Sequence, residues 1–401
     1  MRPSLNLIAS VMLALSSALT MGSPGGMSWL GDSFSLVSGT VLSEARAESK
    51  NATRPASRTA FQFEPIGLSL LEPYARGKIP AVFVHGLGNT PDSWTRMIEC
   101  LEADPTIRQH YQFWAFGFST GEPILYSASL LRQALADARE RFDPERTDPA
   151  FDRMVLIGYS MGGILAKAMA QESQSTLWDE ISTRSFATLQ GPEEAREALR
   201  QSFFFKSVPE VSRVICIATP HRGSQVDQGA LHWLCSRLNP PMERLRKFHE
   251  SLVASNDPEF FHKSFQEKLQ SSVDQLAWQH PRLLALLKLT VSPRVKFHSI
   301  IADVNDPPGA GGTDGVVPYA SSHLEGASSE RIVRGGHLCQ ANPLVIEESD
   351  RILKEHLATS DHGRTASFGA AAGALGPVAG VGADLASRAI KCSCAACEVT
   401  H

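Results

Sequence analysis

The sequence predicts an α/β fold with a mostly parallel central sheet and helices on both faces. Two observations carry that expectation. Strand-like and helix-like segments alternate between about residues 76 and 358, as they do where helices cross over between parallel strands. Several of the strand-like segments are continuously apolar, which suits strands covered on both faces.

The elements follow in order. Ile79 to Val84 is a β-branched and aromatic run that ends in His85-Gly86. Pro91-Asp92-Ser93 opens a helix whose apolar face is Trp94, Met97, Ile98 and Leu101. Tyr111 to Phe118 reads as the next strand, bounded by glycines. Pro123 starts a helix with Ile124, Ala128, Leu131, Leu135 and Ala138 at three- and four-residue steps. Met154-Val155-Leu156-Ile157 is fully apolar, and Val214 to Ile217 and Val295 to Ile301 repeat the pattern. Arg331-Ile332-Val333 is a further strand, and Asn342-Pro343 caps a last helix through Ile346, Ile352 and Leu353.

Two stretches interrupt the alternation, residues 172–210 and roughly 225–290. The first holds Phe203-Phe204-Phe205. The second holds Trp233, Leu234, Met242, Leu245 and Phe248, then Leu276, Trp278, Leu283, Leu284 and Leu287. Side chains of this kind pack on their own small core, or form a lid-like insertion over a cleft.

The two ends differ from the middle. Arg2 followed by the uncharged run Leu5 to Met21 reads, within residues 1–25, as a signal peptide. A retained N-terminal anchor, which would associate the chain with a membrane, is the alternative; either way the chain is expected to be exported. Residues 26–75 read as leader or linker, with a weak sequon at Asn51-Ala52-Thr53. Residues 359–401 read as a Gly/Ala-rich tail containing Pro377 and ending in Cys392, Cys394, Cys397 and His401. That spacing lacks the paired C-x2-C form of strong zinc sites.

The 401 residues exceed what one core usually serves, so one domain with appendages, or two domains, is expected. Charge is 38 − 42 = −4 with no dominant basic block, which gives no reason to expect nucleic acid as a partner. Seven cysteines over this length do not make a disulfide scaffold, and nothing here asks for a metal or cofactor. Oligomeric state is not legible.

Chemistry concentrates around Gly158-Tyr159-Ser160-Met161-Gly162, between a buried strand and a helix with Ile164, Leu165, Ala168 and Met169. A serine there sits on a sharp strained turn, and its flanking glycines remove Cβ clashes. A hydroxyl needs a base to become a nucleophile. Of 13 histidines, His337 sits in a Gly-Gly-His turn after a late strand. Asp314, in Gly312-Thr313-Asp314-Gly315-Val316-Val317-Pro318, is the acid to orient it; Asp303 and Asp306 are rivals nearer the strand end. The order Ser160, Asp314, His337 suits this architecture. Oxyanion donors are expected at the Met161 and Leu87 amides. His85 reads as a loop brace, Tyr159 as packing, and Cys339 as a bystander; Asp303, Asn305 and Asp306 lack calcium-loop spacing.

Val84-His85-Gly86-Leu87-Gly88, Gly158 to Gly163, Ala218-Thr219-Pro220-His221-Arg222-Gly223-Ser224, Asp314 to Pro318 and Gly336-His337 together resemble the α/β-hydrolase superfamily. The likeness is to lipase/esterase-like members with a Thr-Pro-His-x-Gly-Ser turn, and it covers about residues 76 to 358. It implies the α/β-hydrolase fold and a serine hydrolase of small-molecule or lipid carboxylic esters, with Ser160, Asp314 and His337 as its triad. It also implies that His221 and Arg222 are structural. A thioesterase or acyltransferase would use the same triad, amide hydrolysis is less favoured, and a non-catalytic binding protein on the same fold is the alternative of another class.

Overall fold

A computed structural model of the chain describes residue 61, residues 63–226 and residues 242–368, the last nine by backbone alone. The signal or anchor segment, the sequon, Trp233, Leu234, Cys235 and the Cys392–Cys397 cluster with His401 lie outside the described residues.

Among the described residues nine strands form two sheets: β1 (Gly67–Leu70), β2 (Ile79–Val84), β3 (Tyr111–Gly117), β4 (Met154–Tyr159), β5 (Gln171–Glu172), β6 (Val211–Ile217), β7 (Thr290–Val291), β8 (Lys296–Asp303) and β9 (Ser329–Arg334). The main sheet runs β1-β3-β2-β4-β6-β8-β9. β1 alone is antiparallel, pairing Gly67 with Gly117; the other neighbours are parallel. β2 and β4 are buried along their whole length, as their unbroken apolar sequences require.

β4 occupies the centre and feeds the helix Met161–Ala168, so residues after β2, β4, β6, β8 and β9 gather at one edge of the sheet. In such folds this carboxyl edge is where ligands are met. Burial on one face joins β2 and β4 to the helices Ile124–Phe142 and Met161–Ala168. On the other face, Trp94, Met97, Ile98 and Leu101 pack with Ile352 and Leu353 of the last helix.

The domain exceeds the expected 76–358 at both ends. β1 falls within the stretch read as linker, Phe61 and Phe63 pack against the core, and the last helix runs Pro343–Phe368. The two insertions fold onto each other. Trp178 from the first makes ring contacts with Phe260 and Phe261 from the second and with Phe186, Phe203 and Phe204, and β5 pairs with β7. Trp178, Phe186, Phe203, Phe204, Phe260 and Phe261 therefore spend their surface on a shared core. Among the described residues no helix is long and apolar enough to cross a membrane.

The amino edge of the sheet carries a buried polar lattice. Arg213 Nη1 donates to His298 Nε2 at 2.9 Å, and His298 Nδ1 reaches Ser329 Oγ at 2.7 Å. The Tyr111 hydroxyl donates to the Leu353 carbonyl, so it accepts from His356 Nδ1 at 3.0 Å. Ser212 Oγ lies 3.1 Å from His356 Nε2 and 3.2 Å from the Met154 carbonyl, so its single proton is shared between those two acceptors. Both imidazoles are neutral: burial first, then nearby arginines, push His298 down to about 4 and His356 down to about 3.

An unfolded histidine takes its proton near pH 6.5, whereas these wait for about 4 and about 3 in the fold. Between those limits the unfolded chain holds more protons, so stability is complete above about pH 6.5 and falls as pH drops through that window. Denaturant midpoints should therefore decline steadily from pH 7 to pH 5, where most carboxylates are still ionised. His298→Gln should shift the midpoint at pH 7 but flatten that decline. A wild-type midpoint constant from pH 7 to 5 would contradict the account.

Candidate active site

The residue between β4 and its helix, Ser160, has φ +52° and ψ −124°, a conformation that strains any residue with a Cβ. Its surroundings enforce it. The Ser160 N–H donates to the Ile217 carbonyl at 2.8 Å, while Ser160 O accepts the Gly163 N–H at 3.0 Å. A β-carbon on Gly158 would lie 2.5 Å from Gly162 O and Gly163 Cα. One on Gly162 would overlap the Val84 and His85 carbonyls, and one on Gly163 the Thr219 hydroxyl. The turn is thus wedged against β2 and β6, and only glycine lets it in.

Two side chains meet this serine. His337 Nε2 lies 3.0 Å from Ser160 Oγ, and His337 Nδ1 lies 2.7 Å from Asp314 Oδ2. Asp314 is buried, and its second oxygen accepts the Val316 and Val317 N–H groups at 2.8 and 2.6 Å. The Asp-Gly-Val-Val-Pro turn closes through Asp314 N–H to Val317 O at 3.3 Å and a positive φ of +91° at Gly315. An ionised carboxylate can only accept, so Asp314 Oδ2 takes the imidazole N–H at Nδ1, which leaves Nε2 as the acceptor facing the hydroxyl.

The rival acids serve other ends. Asp303 accepts the N–H groups of Asn305, Gly309 and Thr313 and the Asn305 side-chain amide, tying up the loop after β8. Burial raises its carboxyl, and these donors outweigh that and hold it below the usual range. Asp306 forms an exposed ion pair with Arg334 at 2.8 Å. Among the described residues no cluster of three His, Cys, Asp or Glu side chains is arranged to hold a metal.

The Met161 N–H is the first of its helix, where unpaired N–H groups favour negative charge. Leu87 lies in the loop after β2, whose Gly88 N–H donates to Thr120 Oγ1 at 3.2 Å. Among the described residues, neither the Leu87 nor the Met161 N–H has an acceptor. A β-carbon on Gly86 would sit 3.0 Å from Ser160 Cβ, so this loop abuts the serine. His85 braces it: Nε2 accepts the Phe118 N–H at 3.3 Å and Nδ1 faces Gly86 O at 3.1 Å. Burial lowers that imidazole to about 4, which keeps it neutral.

The turn after β6 staples the acid loop in place. Arg222 Nη1 donates to the Ala320 and His323 carbonyls at 2.9 Å each, and Ser224 Oγ donates to Val316 O at 2.7 Å. His221 is buried beside it, and burial pushes its imidazole well below the ordinary value. Cys339 is a buried thiol whose pKa burial raises to about 12, so it supplies no thiolate near neutrality. Tyr159 is more than packing, for its hydroxyl donates to His337 O at 2.9 Å. Nothing local in the sequence signals that contact, because its partner is 178 residues away.

The family model described as alpha/beta hydrolase family matches residues 81–351. Among solved structures, a Bacillus licheniformis lipase in mature form is 19% identical, with 71% of this chain and 96% of that one covered and a TM-score of 0.37. In its propeptide form 52% of that protein's length is spanned, at 18% identity, 72% of this chain and a TM-score of 0.35. Lipase 1 of Pelosinus fermentans is 11% identical over 70% of this chain and 98% of its own, with a TM-score of 0.40. The search of curated proteins returned no match.

Gly162→Ala places a methyl against two backbone carbonyls that β2 holds fixed, so it should cost about 3 kcal/mol or more. Gly309→Ala, whose β-carbon would meet nothing within 4 Å, should be near neutral. Guanidinium denaturation of the two variants beside wild type checks the contrast, and equal midpoints would refute it.

Proposed function

The chain belongs to the alpha/beta hydrolase family, and from that membership and the contacts of Ser160 we propose that it hydrolyses carboxylic esters through an acyl-enzyme. The carrying observation is the continuous chain from Ser160 Oγ through His337 to the buried Asp314, at 3.0 and 2.7 Å. Those are the separations at which proton transfer and orientation operate.

In this reading Ser160 Oγ attacks the acyl carbon while its proton passes to His337 Nε2. Asp314 stabilises the imidazolium and holds its ring in place. The Leu87 and Met161 N–H groups receive the developing oxyanion, a term worth several kcal/mol in such sites. Collapse expels the alcohol, which takes the proton from His337. Water then attacks the acyl-enzyme by the same route in reverse and frees the acid. The substrate is a small-molecule or lipid ester, and an apolar acyl group suits a chain whose net charge of −4 offers no strong field for a charged one. Export, by cleaved signal or N-terminal anchor, belongs to the same proposal and rests on residues 1–25.

Ser160→Ala should fold normally and lose roughly three or more orders of magnitude in kcat, and Asp314→Asn roughly 10^3- to 10^4-fold. A fluorophosphonate should label the wild type at Ser160 alone, as read by peptide mapping. Ester turnover by Ser160→Ala at the wild-type rate, or a label on another serine, would end the proposal. A p-nitrophenyl ester series from acetyl to palmitoyl would set the acyl preference, and a sharp preference for acetyl would remove the lipase version.

A further inference from the structure

Tyr159 is 1% exposed and borders the loops after β2 and β9 that meet Ser160. Its ring lies edge-on to Trp94, centroids 6.4 Å apart, and 5.3 Å from the His337 ring. A β-carbon on Gly86 would sit 3.0 Å from its Cδ1 and Cε1, so the loop after β2 rests on the same ring. Its hydroxyl donates to the His337 carbonyl at 2.9 Å, and that carbonyl also accepts the Cys339 N–H at 2.8 Å.

The contacts of the imidazole with Ser160 and Asp314 set the ring's tilt about its own side-chain bonds. They do not fix where the His337 backbone stands relative to the serine. Tyr159 ties the two together, because it is buried, adjacent to Ser160 in the chain, and hydrogen-bonded to the His337 main chain. Resting on the reading of Ser160 as nucleophile and His337 as base, we propose that Tyr159 is a positioning residue that sets the distance between them and seats the oxyanion loop beside both. Burial, and secondarily the nearness of Cys339 and Asp314, hold its phenol well above the ordinary range. It therefore stays an O–H donor throughout any practical assay. Misplacing a catalytic group by a fraction of an ångström costs about an order of magnitude, since 1 Å costs about a hundredfold.

Tyr159→Phe keeps the ring and removes only the hydroxyl, and the His337 carbonyl retains the Cys339 N–H, so no buried acceptor is orphaned. The expected result with a soluble p-nitrophenyl ester is a kcat about tenfold lower with KM within twofold. Fluorophosphonate labelling should slow by the same factor, with cooperative unfolding retained. Three results would overturn the inference: kcat and labelling within twofold of wild type, a variant that does not fold, or a loss accompanied by an equal rise in KM, which would mean a cleft disturbed as a whole. Ser160→Ala assayed alongside separates the two levels. If it remains active, the reading of the site fails; if it is dead while Tyr159→Phe is unimpaired, only the role of Tyr159 falls.

Discussion

The φ of +52° at Ser160 costs of order 1–3 kcal/mol on a residue with a side chain, and the rest of the architecture is arranged so that no cheaper conformation is open. β4 is clamped between β2 and β6, and the serine N–H is bonded to Ile217 at the end of β6. The helix beyond cannot back away, because Gly162 is in contact with the carbonyls that end β2 and Gly163 with Thr219. The strain is sustained by two parallel ladders rather than by anything at the serine itself. That accounts for its place after the central strand, where neighbours exist on both sides.

The same parallel order brings the partners together from distant parts of the chain. Asp314 lies beyond β8 and His337 beyond β9, 154 and 177 positions from Ser160 by their numbering, yet the strands that lead to them stand side by side. Each loop is then fixed by contacts of its own. Arg222 and Ser224 bind the acid loop, Gly335 N–H bonds to Asp303 O, and Asn342 spans to Arg334 O while capping the last helix. Most of these bonds run between a side chain and a main-chain group, so each loop is held by its backbone.

Much of this could be read without coordinates because it is written locally. β4 is six consecutive buried residues and therefore a bare apolar run, and the serine turn needs its glycines within four positions. Asp314 is separable from Asp303 in the sequence only by the tighter turn that follows it. What escaped is non-local or weakly patterned. β1 is four residues at an edge, held by pairing with β3 some 47 positions later, and offers no run or alternation to notice. Trp178 meets Phe260 and Phe261 across the fold, so each insertion looked separate when it is half of one core. The Tyr159 hydroxyl had no local signature, since its acceptor is a main-chain carbonyl on another loop.

Electrostatics decide which histidine is fitted for proton transfer, and they do so by exclusion. His85, His298 and His356 are lowered to between about 3 and about 4 by burial and have both ring nitrogens committed to protein partners. Two described imidazoles instead face a carboxylate at 2.7 Å, His323 with Glu330 and His337 with Asp314. The first pair is half in solvent, and the Tyr319 hydroxyl takes the other oxygen of Glu330, so its field is screened and its imidazole faces no serine. The second has a carboxylate that water barely reaches, backbone donors on its other oxygen, and a serine 3.0 Å beyond the far nitrogen. A buried carboxylate can stabilise an imidazolium only while that cation forms beside it, and among the described residues His337 is the imidazole that has both such a carboxylate and a serine hydroxyl within reach, as the proposed mechanism requires. The pairing of burial on one side with a hydroxyl on the other is thus what sets His337, the proposed base, apart from a surface ion pair.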